Sequence, residues 1–298
     1  MTSEPCKETA FASGDDEQFI VVKRSRKKSG RRLRVSYGRG EKIATTVCYP
    51  VDQVSLERID MVMKNACNNT ELIKYSQQII ALLLKPLAGR QLSSIWALGL
   101  GSFSCSHHLG CEQLAVLLEL KHYFGCEVYF QEPCLTEMEK RWLCSHAICL
   151  SETKDLLECR VSDDDNDNEN IVLFYAPHCG HAVYNSVIYA HRKKLKNIII
   201  AGNNLHSMDL TARHSELNQK KCSVRDCNLK DLENSYFNEL EALLLYSKIC
   251  TVLEFPIFKS NFAVFNDTAL HFLLHNAQLP EISEARPKYR LFRHEIMI

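Results

Sequence analysis

Ser93-Ser94-Ile95-Trp96-Ala97-Leu98-Gly99-Leu100-Gly101-Ser102-Phe103-Ser104 is the stretch on which the fold turns. Ile95 to Leu98 make a short apolar run of the kind that a strand buried on both faces requires. Gly99 and Gly101 follow at once, and an apolar-periodic segment suited to a helix comes next. Strand, glycine turn and helix form the opening unit of a nucleotide-binding α/β sheet. Glycine there permits unusual backbone angles and lets a ligand approach the main chain. The Ser102 and Ser104 hydroxyls, with the first amides of the helix, could hold an anionic or polar group. The dinucleotide fingerprint G-x-G-x-x-G is incomplete, since its third glycine falls at Ser104. A tight structural turn without a ligand accounts for the same residues.

Outward from this unit the pattern alternates. Upstream, Val54–Asn65 reads as a helix with Leu56, Ile59, Val62 and Met63 along one side. Asn69 or Thr70 can cap a second, running through Leu72, Tyr75, Ile79, Ile80 and Leu83 to Lys85, where Pro86 stops it. Downstream, a helix is expected over His107–Phe124 with its stop at Gly125, then a strand at Glu127–Gln131. Thr136 and Glu139 form a capping box for a helix ending near His146, followed by a strand at Ala147–Leu150. Ser162–Asn170 reads as an exposed acidic loop and residues 206–231 as irregular. Further strands are predicted at Ile171–Ala176, Asn197–Ala201, Thr251–Phe255 and Phe262–Phe265, with helices at Val183–His191 and Asn234–Lys248. The alternation implies a Rossmann-like α/β fold, with a doubly wound, mostly parallel sheet, helices on both faces, and two helices ahead of it.

The 298 residues are 46% hydrophobic and 24% charged, ordinary values for a globular chain. Net charge is zero but unevenly spread: residues 1–45 carry 11 Lys/Arg against 6 Asp/Glu, which leaves −5 for the remainder. Residues 1–45 therefore read as a disordered basic arm, 46–280 as the α/β domain, and 281–298 as a mixed-charge tail. The block from Lys23 to Arg34 is a nuclear import signal, a nucleic-acid contact or a solvated tail, and it lacks the interleaved aromatics of a stacking surface. The polar opening segment and the lack of a long apolar run point away from secretion and membranes. The 14 cysteines are then expected to be reduced, in cytoplasm or nucleus, and mostly buried.

Ligands of such a sheet bind beyond the carboxyl ends of the strands. The positions to inspect are Gly99, Gly101, Ser102 and Ser104 after the first strand and Glu132 after the second. Pro177 and His178 follow the fourth strand, and Gly202 and Asn203 the fifth. Glu132 sits where an acid commonly binds a ribose, although it could equally cap the next helix. Together these residues suit a nucleoside such as S-adenosylmethionine. His178-Cys179-Gly180-His181 could ligate zinc or haem iron. Zinc would need Cys105, His107, His108 or Cys111 to join from the first turn; otherwise His178 bonds a carbonyl and Cys179 packs inside. No Cys-Pro haem motif, G-x-S-x-G elbow, P-loop or H-E-x-x-H occurs.

Leu98-Gly-Leu-Gly-Ser-Phe-Ser104, Phe130-Gln-Glu-Pro133, Ala176-Pro-His-Cys179 with Tyr184-Asn185, Ile200-Ala-Gly-Asn203 and Phe265-Asn-Asp-Thr268 follow one another in that order. The set resembles the "sensitivity to red light reduced" (SRR-like) family over about Ser94 to Phe272, in its animal form. Two positions depart from the family pattern, with Glu132 for an aspartate and Asn204 for a serine. The resemblance implies a regulatory protein tied to circadian clock gene expression and to control of haem biosynthesis, with unidentified protein partners. It implies no catalytic residue. A methyltransferase-like enzyme and a ligand-free scaffold are the alternatives from the residues.

Overall fold

The computed structural model describes residues 54–151, 156–161, 170–207, 229–290 and 292–296. The basic arm, most of the Ser162–Asn170 loop and most of 206–231 lie outside them.

A seven-stranded sheet runs in the order β3-β2-β1-β4-β5-β7-β6. Its strands are β1 (Gln91–Leu98), β2 (Glu127–Gln131), β3 (Cys149–Leu150), β4 (Asn170–Ala176), β5 (Ile198–Asn203), β6 (Thr251–Glu254) and β7 (Thr268–Phe272). β1 to β5 are parallel, and β7 runs antiparallel between β5 and β6. The order reverses between β1 and β4, so their carboxyl ends flank the crevice where ligands of doubly wound sheets bind.

Parity along the strands sorts the core into two layers. Ile171, Leu173 and Tyr175 of β4, with Ile95 and Ala97 of β1, face α1 (Leu56–Cys67), α2 (Thr70–Leu87), α3 (Leu109–Phe124) and α4 (Glu137–Ser145). Val172, Phe174 and Ala176, with Trp96 and Leu98, face α5 (His181–Ala190) and α6 (Leu229–Ser247). The expected α/β architecture with helices on both faces is therefore present.

Local signals explain most element ends. Asn69 Oδ1 accepts from the Glu71 and Leu72 amides and caps α2. Gly125 adopts a left-handed conformation at the end of α3. Two expectations need correction. Pro86 does not stop α2, which continues to Leu87 and is closed by Ala88 in the left-handed region. Phe262–Phe265 is a turn, closed by the Val264 amide on the Asn261 carbonyl, and the last strand is Thr268–Phe272. The segment from Glu281 packs on α5. The Tyr289 hydroxyl is 2.8 Å from both Asn185 Nδ2 and Ser186 Oγ, and Phe292 is buried.

Candidate functional site

The turn after β1 is built around a carboxylate from the next βα unit. Gly99 and Gly101 both have left-handed φ, +63° and +74°. This curl turns the Phe103 and Ser104 amides inward as a small anion nest. Glu139 Oε1 fills the nest, accepting from the Phe103 amide at 2.9 Å, the Ser104 amide at 3.1 Å and Ser102 Oγ at 2.6 Å. Its Oε2 accepts from the Thr136 amide and hydroxyl at 2.9 and 3.0 Å. The capping box of α4 is thus also the contents of the nest. Burial raises the pKa of Glu139, but the bonds from Ser102, Thr136 and Phe103 more than reverse this and hold it below the usual 4.5. The anionic group that Ser102 and these amides hold is the chain's own Glu139. Ser104 contributes its amide, and its hydroxyl lies 3.1 Å from Ser102 Oγ.

The Gly101 donor of the turn is taken as well. The Gly101 amide donates to Glu132 Oε2 at 2.9 Å, and the Cys134 amide to Glu132 Oε1 at 3.0 Å. α3 begins at Leu109, two residues later than the periodicity predicts, and it lies hard against the turn. A Cβ on Gly110 would come 2.6 Å from the Leu100 carbonyl oxygen. Gly110 therefore supplies the close packing that the absent third glycine of the fingerprint would give. Gly101 itself faces open space, with nothing within 4 Å of an added Cβ.

The turn after β4 is closed by partners from several segments of the chain. Pro177 is buried, and His178 is exposed in a left-handed conformation at φ +62°. The side chain of Asn203 clamps it, accepting from the His178 amide at 2.8 Å and donating to the Cys179 carbonyl at 3.1 Å. The Nε2–H of His178 donates to the Val264 carbonyl at 3.0 Å. Buried Tyr184 donates to the Ala176 carbonyl at 2.6 Å and accepts from the Asn203 amide at 2.9 Å. Gly202 is needed for this tyrosine, because an added Cβ would lie 2.5 Å from Tyr184 Cε1. At the start of α5 the Ala182 amide donates to Glu295 Oε2 at 3.0 Å.

The thiols divide by environment. Burial, with the Glu132 and Glu295 charges, pushes Cys179 up to about 12, and its Sγ contacts the Leu98 carbonyl at 3.3 Å. Burial also pushes Cys111 up to about 12, and it packs on the Met63 sulfur. Among the described residues Cys111, Cys179 and Cys250 are buried while Cys134, Cys144, Cys149 and Cys159 are exposed, so the expectation of mostly buried cysteines fails.

The sequence matches the family model of the SRR1 domain over residues 74–272. The chain belongs to the SRR1 domain family. In this SRR1 domain the matched span starts within α2 and ends with β7, so it contains both turns of the crevice. No curated protein matches the sequence significantly. Among solved structures, a crystal structure from Methanococcus maripaludis described as a candidate S-adenosyl-L-methionine-dependent methyltransferase is 10% identical, covering 78% of this chain and 99% of its own, at a TM-score of 0.36. So low a score carries no functional weight.

The SRR1 domain geometry bears unequally on haem and S-adenosylmethionine, the two cofactors the residues allow. Haem ligation by Cys179 does not fit, since that thiol is buried, protonated and directed at a carbonyl. A nucleoside fits better. Each Glu132 oxygen takes one amide bond and keeps a second lone pair beside the open Gly101 position. Sequence reasoning missed Glu139, Glu295, Gly110 and Tyr184 as builders of this edge. It also missed a cavity of about 170 Å³ beyond β5, lined by Asn204, Glu254, Phe262 and Asp267 among others.

Proposed function

We propose that this SRR1 domain protein is a regulator, acting in control of haem biosynthesis and circadian clock gene expression through binding and not through catalysis. Family membership and the ordered strand-end motifs support the regulatory reading. The observation that carries the non-catalytic part is the Glu139 carboxylate seated in the nest of the glycine turn. In a phosphate-binding enzyme of this class those amides receive the ligand. Here they are satisfied before any ligand arrives. A pre-satisfied and rigid edge suits recognition of a partner protein.

The test is made in cells. Deleting the gene should change total haem and the amplitude or period of a clock-gene reporter, with the wild-type chain restoring both. Unaltered haem together with an unaltered rhythm would overturn the reading. The protein is proposed to act in cytoplasm and nucleus, with the block from Lys23 to Arg34 as import signal. Removing residues 23–34 should shift a fluorescent fusion out of the nucleus.

A second reading rests on Glu132. Its spare lone pairs beside Gly101 suit the two hydroxyls of a ribose, as in S-adenosylmethionine. Calorimetry with S-adenosylmethionine and S-adenosylhomocysteine should then give saturable heat that Glu132→Ala removes; no heat with either ends this reading.

A further inference from the structure

The segment between the nest and α3 holds Cys105, His107 and His108. One ligand atom from each residue lies within 4.8 Å of the other two. The His108 amide donates to the Cys105 carbonyl at 3.0 Å, and this tight turn brings residues 105 and 108 to one side. Cys105 and His108 are half-buried and His107 is exposed, so the group is open to solvent on one flank.

Hydrogen bonds fix which nitrogen of His108 is available. Ser102 Oγ has a single proton, and its 2.6 Å contact to the buried Glu139 carboxylate uses it. At the 3.2 Å contact to His108 Nδ1, Ser102 must therefore accept, which places the imidazole proton on Nδ1. Nε2 is left with its lone pair. A metal-binding histidine typically has this arrangement, with the second ring nitrogen donating to an oxygen that orients it. Here the support is a serine backed by a carboxylate that is itself locked by five bonds.

We infer that Cys105, His107 and His108 form a binding site for one zinc-type divalent cation, with the fourth coordination position open. A thiolate with two imidazoles is a donor set that zinc favours, and three protein ligands leave room for water or an external ligand. Tetrahedral zinc needs ligand atoms about 3.3–3.6 Å apart given its bond lengths of about 2.0–2.3 Å. The ligand atoms lie within 4.8 Å of one another, so a small inward shift of the segment around a metal brings them to that spacing. Binding replaces the Cys105 thiol proton with the metal and releases that proton to solvent. Cys111 and Cys179 take no part, being buried and protonated. The site goes beyond the regulatory reading and stands independently of it.

The test uses the full chain, reduced and stripped of metal, titrated with Co²⁺ and then with Zn²⁺. The expected result is about one equivalent of Co²⁺ giving a near-ultraviolet thiolate-to-metal band and four-coordinate visible bands, both removed by Zn²⁺. Cys105→Ser should abolish the thiolate band while leaving circular dichroism unchanged. His107→Ala and His108→Ala should each weaken binding at least ~10-fold, and Ser102→Ala, a positioning residue, ~10–100-fold with the thiolate band retained. Absence of the band in the wild-type protein overturns the inference. So does an identical band in Cys105→Ser, which would put the metal on exposed thiols such as Cys134 or Cys144.

Discussion

The turns after β1 and β4 face each other across one crevice and meet the same problem, main-chain donors exposed at a strand end, with partners drawn from different parts of the chain. The first is filled by Glu139, 36 residues from Phe103 in the adjacent helix. The second relies on Asn203, 25 residues on from His178, and on Glu295, 113 residues on from Ala182. The first keeps an open flank at Gly101, Cys105 and His107; the second is covered by Tyr184, Val264 and the terminal segment. Capping from the next βα unit alone thus leaves a flank that something else can use, whereas capping from several segments, the terminal one included, covers more of the turn.

The comparison breaks most easily at Glu139. Glu139→Ala leaves several buried donors unpaired and should cost ~3–5 kcal/mol in urea unfolding, given ~1–3 kcal/mol per orphaned group. Glu295→Ala removes one amide cap and should cost only ~1 kcal/mol. Equal losses would show that the two turns are held alike.

Acid separates the regions next. His191 Nε2 accepts from the Arg160 amide, and His271 Nε2 accepts from the Leu205 amide, so neither ring can take a second proton without losing a bond. Burial, first among the causes, lowers both from 6.5 to about 4. The unfolded chain binds protons in this range and the folded one does not, so stability is full above pH 6.5 and falls as pH drops toward 4. Each histidine then contributes a loss of up to ~3 kcal/mol. Both pack on the β4–β5 side. Glu139, with its pKa held down, contributes stability above pH 4.5 that is lost only below it, as pH falls through its lowered folded value. Acid unfolding followed by hydrogen exchange should therefore release the second turn before the first. The reverse order would contradict this assignment.

Glycine substitutions sharpen the contrast within the first turn. Gly110→Ala forces a Cβ onto the Leu100 carbonyl and should cost ~1–3 kcal/mol as overpacking. Gly101→Ala meets no atom and should cost only the ~1–2 kcal/mol of a left-handed residue. The smallest effect is chemical: Cys134 should react with a thiol reagent in the native protein, while Cys179 should not until the fold opens.

The sequence exposes what is local. The Thr136–Glu139 capping box, the Asn69 cap and the glycine turn are readable because a few adjacent residues determine each. That Glu139 also fills the nest is not readable, since nothing in the spacing says α4 folds back on β1. The cap that Glu295 places on the start of α5 is hidden for the same reason at greater distance. Phe262–Phe265 imitates a strand by its apolar content, yet its carbonyl at Val264 receives Gln113 and His178 side chains instead of a neighbouring strand. The true β7 is disguised by His271, a polar residue made compatible with the core by bonds at both ring nitrogens. Gly202 was legible as a strand-end glycine, but its reason, the Tyr184 ring, was not.

The glycine turn after β1 already holds its own anion, Glu139. Calorimetric titration of the full chain with NAD tests it most directly. No saturable heat is expected, because the Phe103 and Ser104 amides are bonded to Glu139. Saturable binding that Gly101→Asp abolishes would mean that a pyrophosphate displaces Glu139, and would contradict it.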